Sequence, residues 1–442
     1  MDKEVKVPMV AAGAALLALL ISVPTVLMFL STGTQIAVNP PVGTIGMETP
    51  VRIELRNAHG VRAVQVSVEQ NGKRYPVFTE TKPAHRWLFF SERNGARDVV
   101  AHAGKNDAAA LVDGKAKLIV DATSNDLRGQ VDSKVYDVDV VTAPPRVTTD
   151  SEQHYINQGG SELVVFTPSG YWTEAGVTVG NGVYRSFPLP SQPDKQRFSL
   201  FAYPWDTPPS TVPMVYALNG AGAKATTKFW TKITPKSFRA RDIQIDDKFL
   251  SKVVPSIDHL SSGDLLERFL KINREMRKQN NQTLSDLRLK SAPSMLWSGA
   301  FLPLVNSQVE SVFADRRTYI YNGKKVDEQV HLGFDLAKVA HTPIPASNDG
   351  AILWADDLGI YGNCVVIDHG FGLQSIYGHL SEIEVKVGDS VKRGQEIGKS
   401  GATGMAGGDH LHFSMQVDGV QVNPVEWWDA HWIHDRILSK LK

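Results

Sequence analysis

The stretch GDHLHFSM, residues 408–415, places two histidines one residue apart beside a cluster of glycines. In an extended strand side chains alternate between faces, so His410 and His412 project to one side while Leu411 and Phe413 project to the other. Two imidazoles on one face, backed by apolar residues that anchor the strand, suit a metal site. H-x-H also arises by chance, so the pair has to be read with the rest of the chain. The preceding run GKSGATGMAGGD (398–409) is too rich in glycine to be anything but loop.

Working outward, eight of the thirteen histidines lie at or beyond His331. In HLGFDLA (331–337), His331 and Asp335 share one strand face with Gly333 between them, and a glycine there leaves space for an ion. In IYGHLS (376–381), His379 follows Gly378. A catalytic zinc takes about three protein ligands and keeps one position for water. His331, Asp335 and His412 meet that requirement. His379 and His410 then remain for proton transfer and charge stabilisation.

The whole chain has 442 residues, enough for two to four domains with substantial cores. Lys+Arg and Asp+Glu number 47 each, so the basic excess of a nucleic-acid binder is missing and no nucleic acid is expected as a partner. The single cysteine, Cys364, lies in the apolar run CVVI, which predicts a buried free thiol and excludes a disulfide within the chain. From Val7 to Leu30 there is no charged residue, a run long enough to cross a bilayer. A cleaved signal peptide would have a shorter apolar region and a small-x-small site. The reading is therefore a cytoplasmic tail over 1–6, an uncleaved transmembrane anchor over 7–30 kinked at Pro24, and the remaining chain outside the cytoplasm.

Beyond the tether NPPVGTIG (39–46), VRIEL (51–55) and VQVSVEQNGKRYPVF (64–78) alternate apolar and polar residues, with Asn71-Gly72 as a hairpin turn. KLIVDA (117–122) and VYDVDVV (135–141) continue a β-sandwich of immunoglobulin-like type over 44–143. TAPPRVTT (142–149) reads as a boundary. A second sandwich-like domain over 144–234 includes ELVVF (162–166), FSLFAY (198–203) and a hairpin turning at Asn181-Gly182. SSGDLLERFLKINREMRKQ predicts a serine-capped amphipathic helix within a helical connector over 235–299. PVEWWDAHWIHDRILSKLK ends the chain, with a C-terminal helix expected over 431–442 that packs on its own domain.

From about Pro303 to Trp428 the chain resembles the LytM/lysostaphin-type zinc metallopeptidases, which cut peptide bonds in bacterial peptidoglycan. The resemblance rests on ordered blocks: HLGFDLA for H-x-G-x-D, HTPIPASNDGAI (341–352), GNCVVIDHGFGLQSIYGHLS (362–381), VKVGDSVKRGQEIGKSGATG (385–404) and DHLHFSM (409–415). It implies a lysostaphin-like antiparallel β peptidase domain over 300–430 in a mostly β, multidomain chain. It implies a Zn²⁺ cofactor with His331, Asp335 and His412 as ligands, His410 as general base toward the attacking water, and His379 as the group stabilising the oxyanion. Ala314 stands where a glycine is usual, and Ser414 where an acidic residue often follows H-x-H-F. The hairpin RTYIYNGKKVDEQV (317–330) is expected at the cleft entrance, Thr403 and Gly404 on its floor, and His341 and His369 in structural roles.

The function this implies is a membrane-anchored zinc metalloendopeptidase of cell-wall remodelling. It would sit as a single-pass protein of the bacterial inner membrane with its catalytic domain in the periplasm or envelope. The partners would be peptidoglycan stem peptides, the membrane and envelope proteins met by the sandwich domains. Three other readings stand beside it. The domain could be a non-catalytic activator of another murein hydrolase, a fate of relatives that have lost zinc ligands. The site could be held shut by the 258–290 helix or by Asn306 acting as a ligand. The sandwiches could be the main business of a scaffold that carries a peptidase.

Overall fold

The computed structural model describes residues 6–84, 96–150 and 153–442. The tail expected over 1–6 lies, apart from Lys6, outside them. The apolar N-terminal run forms one helix, Lys6–Phe29, uninterrupted at Pro24. Its Ala11–Phe29 segment, with mean hydropathy 2.2, is long and apolar enough to cross a membrane.

The rest of the chain is mostly β and divides into two compact units. In the first, a five-stranded sheet runs in the order Thr44–Ile45, Val131–Val140, Gly114–Ser124, Val61–Gln70, Lys73–Thr81. A three-stranded sheet holds Gln35–Val38, Thr49–Arg56 and Arg97–Ala103. Alternation in both sheets turns Val51, Ile53 and Leu55 toward Val64, Val66, Val68, Leu118 and Val120, and these form one buried core. Asn71 and Gly72 make the expected two-residue turn, with φ of 53° and 72°.

The second unit takes in most of residues 146–217 and everything from Thr226 onward. Its second hairpin turns one residue earlier than Asn181-Gly182 predicts. Val179 pairs with Gly182, leaving Gly180 and Asn181 in the loop, and Gly180 takes the φ of 56° that a side chain would resist.

The C-terminal part is built on an eight-stranded antiparallel sheet. Its path is Gln308–Ser311, Phe334–Ala337, Leu411–Val417, Leu373–Leu380, Asn363–Gly370, Gly350–Asp357 and Ser390–Val391, with Val420–Val422 paired to Leu411–Val417. The central strands are buried along nearly their whole length because both faces are covered. One face carries Tyr377 and Phe413, their rings 5.3 Å apart, with Trp428 stacked on Phe413. The other face carries Cys364, Val366 and Ile376, which share a core with Phe269, Ile272, Leu284 and Leu287. Burial raises the Cys364 thiol pKa, so it is an inert packing group.

That second cover is the helical connector: Asp247–Ile257, then Leu265–Lys271 continuing through a π turn at Ile272–Met276 into Arg277–Asp286. Its N-cap is Asp264, whose carboxylate accepts from the Glu267 N–H, where the sequence suggested a serine. Aspartate caps as well as serine and adds a negative charge at the positive end of the helix. Deeper in, Gln374 and Gln416 donate to the carbonyls of Leu287 and Leu284, fastening the helices to the sheet. At the C-terminus a short helix, Val425–Trp428, precedes Ala430–Ile433, which continues through a π turn at His434–Leu438, so the helix expected over 431–442 begins one residue earlier and ends at Leu438. Trp427 is fully buried against Trp297 and Phe301, and Ile433 and Ile437 are buried too.

Candidate metal centre

Strand pairing assembles the site. His412 lies in Leu411–Val417 directly between Asp335 on one neighbouring strand and Gly378 on the other. Residues 412, 414 and 416 share a face with 374, 376 and 378, so parity sends the His412 ring to the side covered by the helices. His331 and Asp335 do not share a strand, contrary to the sequence reading. His331 ends Lys324–His331, part of a three-stranded sheet with Asp315–Tyr321 and Ala240–Ile245, and Asp335 lies in the next strand of the large sheet. The chain changes sheets at Leu332-Gly333, and the Ser414 hydroxyl holds the Leu332 carbonyl at that corner. Gly333 is needed there for a different reason than room for an ion. A Cβ on it would lie 2.6 Å from Cε1 and 2.7 Å from Nε2 of His412, so the imidazole occupies the space that the missing side chain frees.

The result is a triangle of donor atoms. His331 Nε2 lies 2.9 Å from both Asp335 Oδ1 and His412 Nδ1, and the latter two are 3.2 Å apart. His331 Nδ1 donates to the Val312 carbonyl at 3.2 Å, which leaves Nε2 as a lone pair facing the other two atoms. Lone-pair atoms this close repel one another unless a proton or a cation lies among them. Tetrahedral zinc with bonds of about 2.0–2.1 Å would place its ligand atoms about 3.3 Å apart, so these residues fit the ion. Burial alone would raise the Asp335 pKa, but the imidazoles of His331, His410 and His412 gathered around it hold it well below the carboxylate range. Burial lowers His412 to about 4, leaving it neutral, as a metal ligand must be.

Two more imidazoles border the triangle. His379 follows Gly378 in its strand with φ of 63°, a left-handed conformation uncommon for a residue with a Cβ. Its Nδ1–H donates to the Thr403 carbonyl at 2.8 Å, so Thr403 orients this ring. His410 Nδ1–H donates to the Gly408 carbonyl at 2.9 Å, and its Nε2 lies 3.5 Å from Asp335 Oδ1. The two rings are 4.8 Å apart. Burial, then the neighbouring His410 and His412, push the His379 pKa well below its ordinary value. Burial also opposes the charged form of His410, but the hydrogen bond to Asp335 and its charge raise this pKa overall.

All five residues line one cavity of about 390 Å³. The cavity also meets Arg317, Tyr319 and Val330 of the hairpin and Arg277 of the helical cover. Arg317 is a residue the sequence reading missed. Its Nη2 donates to Asp335 Oδ2 at 2.7 Å and to Ser311 Oγ at 2.9 Å. The only hint was a pair of arginines, Arg316 and Arg317, leading into the aromatic end of the strand Asp315–Tyr321. Asn306 is exposed in a turn and does not line the cavity. His369 is buried, bonded to the Asp349 carbonyl and Ser375 Oγ at 2.7 Å each, with burial lowering its pKa to about 4. His341 is exposed, against Ser381 Oγ. Neither reaches the cavity.

A family profile described as Peptidase family M23 matches residues 329–424, which include all five of these positions. Among relatives, a "DD-carboxypeptidase/endopeptidase Mpg" of Neisseria meningitidis serogroup B is 38% identical over 123 residues, 28% of this chain and 27% of that protein. The "Peptidoglycan DD-endopeptidase ShyA" of Vibrio cholerae is 44% identical over 96 residues, 22% of each chain. The match therefore spans about a quarter of the length of these relatives. Among solved structures, the catalytic domain of the antimicrobial peptidase lysostaphin from Staphylococcus simulans is 31% identical, covering 28% of this chain and 92% of that one, with a TM-score of 0.24. The C-terminal region of the chain carries a peptidase family M23 domain of the LytM type.

Proposed function

We propose that the chain is a zinc metalloendopeptidase that hydrolyses peptide cross-links of bacterial peptidoglycan. The observation that carries this reading is the His331–Asp335–His412 triangle, with His379 and His410 beside it on the same cavity. His331 Nε2, Asp335 Oδ1 and His412 Nδ1 would hold the metal. When bound, zinc polarises the scissile carbonyl and supplies a nucleophile at neutral pH. His410 takes the proton of the attacking water, and the charge it gains is balanced by Asp335, 3.5 Å away. His379 stabilises the oxyanion. The relatives named as DD-endopeptidases support a D,D-peptide bond as the target.

One contact favours a second division of labour between the two rings. With its Nδ1–H on the Thr403 carbonyl, a neutral His379 presents a lone pair at Nε2, which accepts a proton and cannot donate one. In that arrangement His379 is the base and His410 the donor to the oxyanion.

The N-terminal helix would anchor the protein in the bacterial inner membrane, with the catalytic domain in the periplasm and the β-rich regions available to envelope partners. A non-catalytic activator has no need of a complete ligand set, so the filled positions argue for an enzyme. The test uses the full chain as purified, after chelation, after zinc is restored, and as His412→Ala, on cross-linked peptidoglycan with products identified by mass. Loss of cross-linked dimers only in the zinc-bearing wild type is expected. Undiminished cleavage by the chelated protein or by His412→Ala would defeat the proposal.

A further inference from the structure

Three arginines, Arg241, Arg277 and Arg317, line the metal cavity against two carboxylates, Asp335 and Glu310. Arg241 on Ala240–Ile245 is the direct register partner of Arg317 on the parallel strand Asp315–Tyr321. Cross-strand partners of like charge repel, so both are tolerated only where anions answer them. Arg317 has Asp335, and Arg239, two residues before Arg241, has Asp315 through Nε at 2.9 Å. Arg241 has neither. Arg241 instead donates from Nη1 to the Glu310 carbonyl at 2.8 Å, a neutral partner.

Across the cavity the helical cover supplies Arg277. Its Nη2 donates to Asn273 Oδ1 at 2.6 Å and rests 3.3 Å from Met405 Sδ, again neutral partners. Among the described residues, Arg241 and Arg277 make no ion pair, yet both line the same cavity as the metal triangle. Asn273 and Met405 hold the Arg277 guanidinium in place before any ligand arrives, and a planar fork held this way matches a carboxylate. A lysine-lined groove would attract anions with no such geometry.

We propose that Arg241 and Arg277 form a carboxylate-binding subsite of the metal cavity, which selects peptides bearing a free carboxylate close to the bond that is cut. This rests on the peptidase reading for its substrate. The charge arrangement itself does not depend on hydrolysis. In a stem peptide whose D-glutamyl α-carboxyl is amidated, two carboxylates remain, the C-terminal carboxyl and a side-chain carboxyl of the diamino acid, and the probes must separate them.

The experiment titrates the full-length, zinc-bearing protein by calorimetry with a D-alanyl stem tetrapeptide of the diaminopimelate type whose D-glutamyl α-carboxyl is amidated throughout. The same peptide is then used with only its C-terminal carboxyl amidated, and with only its diaminopimelyl carboxyl amidated. The free acid is expected to bind about tenfold or more tightly than one of the two amides, which names the carboxylate that is read. Arg241→Gln and Arg277→Gln should erase that preference while zinc content and melting temperature stay unchanged, and Arg277→Lys should restore part of it. Equal binding of acid and both amides by the wild type overturns the subsite, and so does no binding at all. Full preference retained in both glutamine variants overturns it as well. Cleavage of cross-linked muropeptides is followed on the same samples. Selective binding without cleavage would sink the peptidase reading alone, whereas indifferent cleavage of acid and amides would sink the subsite alone.

Discussion

Arg317 and Asp335 are joined by an ion pair of 2.7 Å that divides the carboxylate into two halves. Oδ2 faces the guanidinium, and Oδ1 faces His331, His412 and His410 at 2.9, 3.2 and 3.5 Å. The arginine thus fixes which oxygen, and which lone pair, is turned toward the imidazoles. On the zinc reading, Arg317→Ala should weaken zinc binding about ten- to a hundredfold, the usual effect of removing a group that orients a ligand. Chelator competition measures it, with Arg317→Lys expected to recover part of the loss. Unchanged affinity would mean that the pair serves folding only.

Gly333 is where a side chain would collide with the His412 ring. A methyl group there would approach His412 Nε2 and the Phe413 carbonyl at 2.7 Å each. Phe413 is held by the sheet, so the His412 ring must give way. Gly333→Ala should therefore lower stability by about 1–3 kcal/mol and weaken zinc binding in the same variant. Urea unfolding and zinc titration together check it, and an alanine variant with normal zinc affinity would contradict the packing argument.

His379 and His410 touch the metal triangle without belonging to it. Replacing either by alanine should leave about one zinc bound while lowering the turnover of cross-linked peptide by about 10²–10⁴-fold, the range for a positioned acid or base. His412→Ala should lose the metal itself. The pH–rate profiles of the two single variants would separate the two divisions of labour, since only the variant lacking the base loses the acidic limb.

Glu426 is buried in the second unit, where its carboxylate accepts from Asn157 Nδ2 at 2.8 Å and from the Ser161 N–H at 2.9 Å. Burial outweighs these bonds and raises its pKa from 4.5 to about 7. The folded state therefore holds a proton that the unfolded chain has released. The stability this confers is complete below about pH 4.5 and is lost as pH rises through 7, on the order of 3 kcal/mol over that window. Urea unfolding of the wild type and Glu426→Gln at pH 5 and pH 8 should show wild-type stability falling with pH relative to the variant. A constant difference between them would mean that Glu426 titrates normally.

Local patterning carried a large part of the fold. The hairpin at Asn71-Gly72 follows from residues that tolerate positive φ, and its alternating strands could face only one core. The turn at Gly180-Asn181 was misplaced by one residue because two glycines flank the asparagine, and only pairing register selects between them. The serine at the start of the connector helix lost its capping role to Asp264 for a similar reason, since several cap residues stood in a row.

For the centre, the sequence by itself determined the chemical identities: four histidines, a carboxylate and the glycines around them, in an order that marks a LytM-type domain. Strand parity also set His412 on one face. Only the tertiary structure decided how they meet. His331 and Asp335 reach the triangle from two different sheets, Arg317 reaches Asp335 across a hairpin, and Arg277 arrives from a helix packed on the same sheet face. The physical reason is range. Propensity and alternation act over a few residues, whereas strand register and helix docking are fixed by pairings between segments far apart in the chain, which a local pattern does not encode.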